Sequence, residues 1–294
     1  MERCDSGMLK IYLSSGRLNA PITNQLSLAL SPGGRTLAFG QRDGRIRVWS
    51  TLDRKFLANF QAHAGDVVVC RYSVDGRILA TVGKDQTVRL WDMASTKIIH
   101  EYTAPHYLAN ALEFSPDGRT LAFAYLNEKD ARGFVRLWNL GGRGEIAAFS
   151  AHSEATEVLA FTADGQTLAI GSTDSTAKLW DINNVTQPTA VLRGRLLSVN
   201  SLDFSPDDRR LAVSGGSGET KIWDVLSGQE VATLKGGDGF IGNTFFVDDG
   251  TLLTAGLKSD SYTFEIFRWR APSLVEIDTA EKDETRLTRP KQAP

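Results

Sequence analysis

Cysteine is almost missing from this chain: 294 residues carry only Cys4 and Cys70. Two thiols so far apart in sequence build neither a disulfide framework nor a thiolate metal set, so a reducing compartment is the default setting. Histidine is nearly as scarce, at four residues, and no HxxxH or CxxC spacing occurs. No window reaches the roughly 18 consecutive apolar residues that a membrane-crossing helix needs. The opening residues, MERCDSGMLK, lack the apolar core of a signal peptide. A net charge of −2 and a pI near 6.1 leave no basic excess, whereas nucleic-acid binding calls for a clustered basic face. Arg35, Arg77, Arg119, Arg209 and Arg210 are spread along the chain instead. A cytoplasmic protein with no nucleic-acid or membrane partner is expected.

What the chain does have is a period. Its six tryptophans, Trp49, Trp91, Trp138, Trp180, Trp223 and Trp269, lie 42, 47, 42, 43 and 46 residues apart. Each closes a short run: RIRVW, TVRLW, FVRLW, TAKLW, ETKIW, EIFRW. A period of this size marks one supersecondary unit repeated many times. Within a unit four strand-sized segments alternate with turns; in the second they are 67–72, 77–82, 87–91 and 97–102. They are rich in β-branched and aromatic residues, as antiparallel strands require, and no 3.6-residue apolar period interrupts them. The first turn recurs as SPGGR (31–35), SVDGR (73–77), SPDGR (115–119), TADGQ (162–166), SPDDR (205–209) and VDDGT (247–251). Ser and Asp bond the local backbone and Gly takes the left-handed conformation, with Asp208 tolerating the same slot.

A four-stranded sheet of 40–45 residues cannot bury both faces alone, and repetition around an axis solves this. On these residues the chain resembles the WD-repeat β-propellers over roughly 8–278, with a charged C-terminal tail at 279–294. Trp-Asp closes the repeat at 91–92, 180–181 and 223–224. The turn-rich repeats are similar to bacterial members often attached to kinase or signalling domains. The resemblance implies an all-β propeller of six recognisable four-stranded blades plus an N-terminal partial repeat. It also implies a buried tetrad in each complete blade, which only repeat two holds in full: His63, Thr81, Asp85 and Trp91. Repeat four keeps His152, Asp174 and Trp180 but has Ile170 where the hydroxyl belongs. Repeat one keeps Asp43 and Trp49 with Phe39 in that place. His106 also falls in the histidine slot, and His100 reads as a packing or surface residue. Because a buried polar group without a partner costs about 1–3 kcal/mol, degenerate repeats should lose the set together, as repeats five and six broadly do.

Residues 9–22 read as the third and fourth strands of a further repeat, with Tyr12 in the tryptophan slot. Two arrangements fit. In one, 17–22 closes a six-bladed ring as the outer strand beside 243–246, 251–254 and 264–269. In the other, the ring is an incomplete seven-bladed one and belongs to a longer chain.

No catalytic or cofactor signature is legible. The glycines at 141–144 and 214–218 do not join a strand to a helix, as a phosphate loop must, and no GxSxG elbow occurs. No metal or cofactor is expected. Positions near the starts of first strands (Leu26, Val67, Leu108, Val199) are apolar, which favours a non-catalytic scaffold for a protein or peptide over a small-molecule or hydrolytic propeller with a channel site. Its contact surface is expected on the loops of one mouth: Arg42, Lys84, Tyr107, Arg195, Leu196 and Phe240. The insertion 126–134 is either a further contact loop or a tolerated lengthening.

Overall fold

The computed structural model describes residues 8–13, 16–21, 25–103, 107–127, 130–142, 144–236, 239–257 and 264–271. Strands and turns account for them, and no helix occurs among the described residues. The chain opens with β1 (Met8–Leu13) and β2 (Gly16–Pro21). Blade one is β3 (Gln25–Leu30), β4 (Thr36–Gln41), β5 (Arg45–Ser50) and β6 (Lys55–Gln61). Blade two is β7 (Val67–Tyr72), β8 (Ile78–Gly83), β9 (Thr87–Asp92) and β10 (Lys97–Thr103). Blade three is β11 (Tyr107–Phe114), β12 (Thr120–Asn127), β13 (Arg132–Asn139) and β14 (Gly144–His152). Blade four is β15 (Thr156–Phe161), β16 (Thr167–Ser172), β17 (Thr176–Asp181) and β18 (Ala190–Arg193). Blade five is β19 (Val199–Phe204), β20 (Arg210–Gly215), β21 (Glu219–Asp224) and β22 (Glu230–Lys235). Blade six has β23 (Phe240–Asp248), β24 (Thr251–Leu257) and β25 (Phe264–Arg270). Every sheet is antiparallel in chain order, and each tryptophan sits next to last in its third strand.

The turn chemistry acts as the sequence suggests. In blade two, Ser73 Oγ donates to Asp75 Oδ1 at 2.6 Å, Asp75 Oδ1 accepts the Arg77 N–H, and Gly76 has φ of 72°. Asp208 adopts φ of 57° in the glycine slot. The insertion in repeat three extends its hairpin, so β12 and β13 run to eight residues each with Asn127 opposite Arg132.

The second strands explain the packing. Each of the first five carries a Leu-Ala pair: 37–38, 79–80, 121–122, 168–169 and 211–212. Successive strand residues point to opposite faces, so one face of a blade is large and the other small. In the cluster between blades three and four, Leu168, Ile170 and Trp180 meet Ala122, Ala124, Val135 and Leu137. The next interface repeats the scheme, with Leu211, Val213 and Trp223 against Ala169, Ala177 and Leu179. A buried leucine contributes about 1.5–3 kcal/mol. The innermost strands β3, β7, β11, β15, β19 and β23 pack in succession, and side chains tie them. Ser201 Oγ accepts the Thr244 N–H at 2.8 Å and Asp203 Oδ2 accepts the Phe246 N–H at 2.5 Å.

Two expectations are corrected. Blade six has three strands, so the described residues form five four-stranded sheets, one of three strands and one of two. Residues 17–22 were expected as its outer strand, but among the described residues β2 pairs with β1, from Met8↔Pro21 to Leu13↔Gly16, and with no strand of blade six. The physical reason is loop closure, whose entropic cost rises with the length of chain enclosed; a local hairpin avoids joining the two ends of the chain. Residues 272–294, which include the expected tail, lie outside the described residues.

Close blade contact leaves no room at certain glycines. A Cβ at Gly171 would lie 2.7 Å from Val158 Cγ1 and 2.5 Å from Val199 Cγ1 of the next blade. Gly171→Ala should therefore lower the free energy of unfolding in urea by about 1–3 kcal/mol, whereas Gly118→Ala, where nothing lies within 4 Å, should show only the smaller strain of its left-handed turn.

Candidate functional site: the tetrad, the mouth and the inner strands

In blade two the four expected residues form one buried chain of hydrogen bonds. Trp91 Nε1 donates to Thr81 Oγ1 at 2.9 Å, and Thr81 Oγ1 lies 2.8 Å from His63 Nε2. His63 Nδ1 is 2.9 Å from Asp85 Oδ1. One proton arrangement serves all three contacts: Nδ1–H donates to the carboxylate, and Nε2 accepts the Thr81 hydroxyl proton. Burial lowers the His63 pKa, outweighing the opposing hydrogen bond and charge of Asp85, so the imidazole stays neutral. For Asp85, burial raises the pKa, but bonds from the Ala64 N–H, Thr87 and His63 outweigh it and the carboxyl ends below its ordinary value. Thr87 joins the network, 2.9 Å from His63 Nδ1 and 2.7 Å from Asp85 Oδ1.

Blade four departs from this at the hydroxyl. His152 Nδ1 keeps Asp174 Oδ2 at 2.9 Å, but His152 Nε2 meets the Ile170 carbonyl at 3.1 Å. A carbonyl only accepts, so Nε2 donates here, and Trp180 Nε1 is left without a partner among the described residues. Trp49 and Trp223 are in the same position. The set is therefore not lost as a unit, contrary to expectation. The indole ring is retained for its apolar bulk: Trp180 of blade four packs on Phe149 of blade three with ring centroids 4.6 Å apart. Blade six also departs from expectation, since Trp269 Nε1 donates to Thr254 Oγ1 at 3.0 Å. His100 packs on Trp138 with ring centroids 4.7 Å apart, and His106 lies outside the described residues.

One partner was missed although its signal is in the sequence. Two residues before the tryptophan stands a cation in five repeats: Arg47, Arg89, Arg136, Lys178 and Lys221. Arg89 bonds the Ala62 carbonyl, next to His63, and pairs with Glu101 at 2.6 Å. Lys178 Nζ donates to the Ala151 carbonyl at 2.7 Å, beside His152. Arg136 lies over Tyr102 and Tyr125 and pairs with Glu145.

The loops before first strands and those between second and third strands share one mouth, joined by bonds such as Lys84 N–H to the Asp66 carbonyl. Lys84 Nζ pairs with Asp66 Oδ2 at 2.7 Å. That bond, with the charge of Arg42 adding to it, lowers the Asp66 pKa. Arg195 is exposed and Phe240 is 44% exposed. Tyr107 begins β11, and its side chain lies outside the described residues. Leu196 is corrected: it is only 1% exposed and belongs to the core between blades four and five. Its neighbours Arg195 and Leu197 both hold left-handed backbone, φ 56° and 63°, which turns Leu196 inward and leaves Leu197 71% exposed. Ser175 Oγ fixes this loop by donating to the Leu197 carbonyl at 2.5 Å.

A sequence profile described as "WD domain, G-beta repeat" matches residues 16–50, 54–92, 144–181 and 186–224, half of the chain. Each matched stretch runs from an outer strand through the three inner strands of the next blade. The chain belongs to the WD-repeat family. No curated protein matches it. WD repeats generally mediate protein–protein interaction.

This WD-repeat protein also carries charge on its inner strands, which the apolar strand starts did not foretell. Arg71 on β7 pairs with Glu113 Oε2 on β11 at 3.3 Å. Burial raises the Glu113 pKa against the pull of Arg71, and the charge of Asp203 on β19 adds to the rise. Asp203 itself is pushed up to about 6 by burial, despite accepting backbone bonds from Phe246 and Phe204.

Asp85→Ala leaves the His63 and Ala64 donors unpaired and should cost about 1–3 kcal/mol, read by urea unfolding; a loss within the error of the wild type would mean the network is not formed. For Asp203 the folded pKa, about 6, exceeds the ordinary 3.8, so the folded state holds the proton more tightly. Its stabilising contribution is complete below about 3.8 and is lost as pH rises through 6. Asp203→Asn should accordingly gain stability relative to wild type between pH 4 and pH 7.

Proposed function

We propose that this WD-repeat protein is a non-catalytic scaffold that binds a peptide or protein through the mouth bearing Arg42, Lys84, Tyr107, Arg195 and Phe240. The observation that carries the reading is the company of exposed apolar and cationic groups there. Phe240 and Leu197 are exposed, and Lys84 pairs with Asp66, whose carboxyl also feels the charge of Arg42. Aromatic and arginine side chains held on a rigid frame are the usual anchors of recognition. A contact covering about 800 Å² of one partner suffices for specific binding.

A second reading, a small-molecule or hydrolytic propeller, is favoured by one observation alone, the Arg71–Glu113–Asp203 group on the inner strands. The two readings separate by mutation. Tyr107→Ala and Phe240→Ala should each weaken a partner isolated with the wild-type protein by more than about 1 kcal/mol in calorimetry, while Glu113→Gln leaves its affinity unchanged. Unchanged affinity in both aromatic variants would remove the mouth as the binding surface. Substrate turnover by purified protein that Glu113→Gln abolishes would establish the second reading instead.

A further inference from the structure

One recurring side chain, two residues after the tryptophan, closes the contact between consecutive blades near their first turns. In blades two to five it is Met93, Leu140, Ile182 and Val225, each packed with its tryptophan against the outer strand of the blade before. Blade six has only Ala271 in that place. Its surroundings are correspondingly open. Trp269 is half-buried, whereas Trp49, Trp91, Trp180 and Trp223 are at most 7% exposed. Ala232 on the outer strand of blade five is exposed, although Ala58, Ala147 and Ala190 at the same position in other blades are partly buried.

The small side chain leaves a cavity of about 320 Å³ between blades five and six, walled by Ile222, Leu234, Phe246, Leu252, Trp269 and Ala271. Sites for small ligands run from about 300 to 1,000 Å³ and combine an apolar wall with a few polar groups. The polar group that faces this cavity is Arg210, the first residue of β20. The other second strands begin with Thr36, Ile78, Thr120, Thr167 and Thr251, so a cation at this level is peculiar to blade five. Alternate strand residues share a face, which places Arg210 with Ala212, and Ala212 packs toward Leu252 of blade six. Arg210 is half-buried, and among the described residues its guanidinium has no ion pair or hydrogen bond. Arg270 and Asp249 also border the cavity, and Asp249 Oδ1 accepts the Asp207 N–H at 3.0 Å.

We infer that this cavity binds an aliphatic carboxylate, with the carboxylate on Arg210 and the hydrocarbon chain against Trp269, Leu252 and Ile222. The chain takes the place that Met93, Leu140, Ile182 and Val225 fill in their own blades, so the wall is already shaped for an aliphatic group. A guanidinium fork meets both oxygens of a carboxylate. A doubly charged phosphate would be repelled by Asp249, which makes a single negative charge the better match. Gly250 of the first turn of blade six borders the cavity, so the site lies at the opposite end of the blades from the mouth and is independent of it.

Calorimetric titration of the full chain with sodium butanoate, hexanoate and octanoate tests this. Affinity should rise about fourfold with each added CH2. Arg210→Gln should weaken octanoate at least about tenfold and leave the binding of octan-1-ol unchanged. Ala271→Ile should abolish the binding of both, while the Tm of the unliganded variant stays at or above that of the parent chain. Should this variant fail to fold by circular dichroism, Leu234→Phe decides in the same way, since Phe60 and Phe149 stand at that position in blades one and three. The inference is overturned if octanoate shows no saturable binding, if chain length has no effect, or if binding survives the cavity-filling variant. Equal loss of octanoate and octan-1-ol in Arg210→Gln, or no loss of either, overturns it too. It fails equally if octanoate binds only after residues 272–294 are removed, because that segment is then the occupant. Phe240→Ala should leave octanoate binding as it is; a loss there would move the ligand to the mouth and overturn the inference.

Discussion

Packing of each sheet on the next is the interaction on which this protein depends. A blade has two apolar faces and, among the described residues, no helix to cover either, so its stability is that of its neighbours as much as its own. The alternation of leucine and alanine along the second strands makes the interfaces complementary, a large face meeting a small one. That arrangement also makes the array directional. It has a first face, on blade one, and a last face, on blade six. Leu30 at one end and Ile266 at the other are exposed, while Leu37, Phe39 and Trp49 of blade one are buried.

Within the array the polar networks are graded. Blade two joins Trp91, Thr81, His63 and Asp85 without a break, and the Arg89 pair with Glu101 ties the outer strand to it. Blade four substitutes the Ile170 carbonyl for a hydroxyl and leaves its indole N–H without a partner among the described residues. The indole is kept in each blade because an aromatic ring of that size fills the interface; its hydrogen bond is secondary to its volume. Local stability should thus fall away from blade two, and opening motions draw on the less tightly bonded blades.

The charges fall into two groups with different consequences. At the mouth they are exposed and screened, so Arg42, Lys84 and Asp66 contribute little to stability and are available to a partner. On the inner strands desolvation raises the pKa of Asp203 and that of Glu113, which pairs with the exposed Arg71. Asp203 thereby weakens the fold at neutral pH, whereas the turn carboxylates Asp75, Asp117, Asp164 and Asp207 are held below their ordinary value by local hydrogen bonds. A stabilising pull from the Phe246 and Phe204 backbone N–H groups only partly offsets the burial of Asp203.

The sequence by itself determined the repeat, the strand order within a blade, the turn chemistry and the complete tetrad, because each rests on residues close together in the chain or fixed by the period. Asp208 in a glycine slot and Trp91 bonded to Thr81 were legible for that reason. The cation two residues before the tryptophan was equally local and went unread, its carbonyl partner being visible only once the strands were paired. Other features depended on relations between blades, which no local spacing encodes. Leu196 turns inward because two left-handed residues flank it, and backbone handedness at non-glycine positions is set by the packing around them. Glu113 and Asp203 come from blades three and five, and their mutual field exists only when the inner strands converge. The partner of β2 was likewise a tertiary decision: the outer position beside β25 and the local pairing with β1 suit the same residues, and the shorter loop prevails because its closure entropy is smaller.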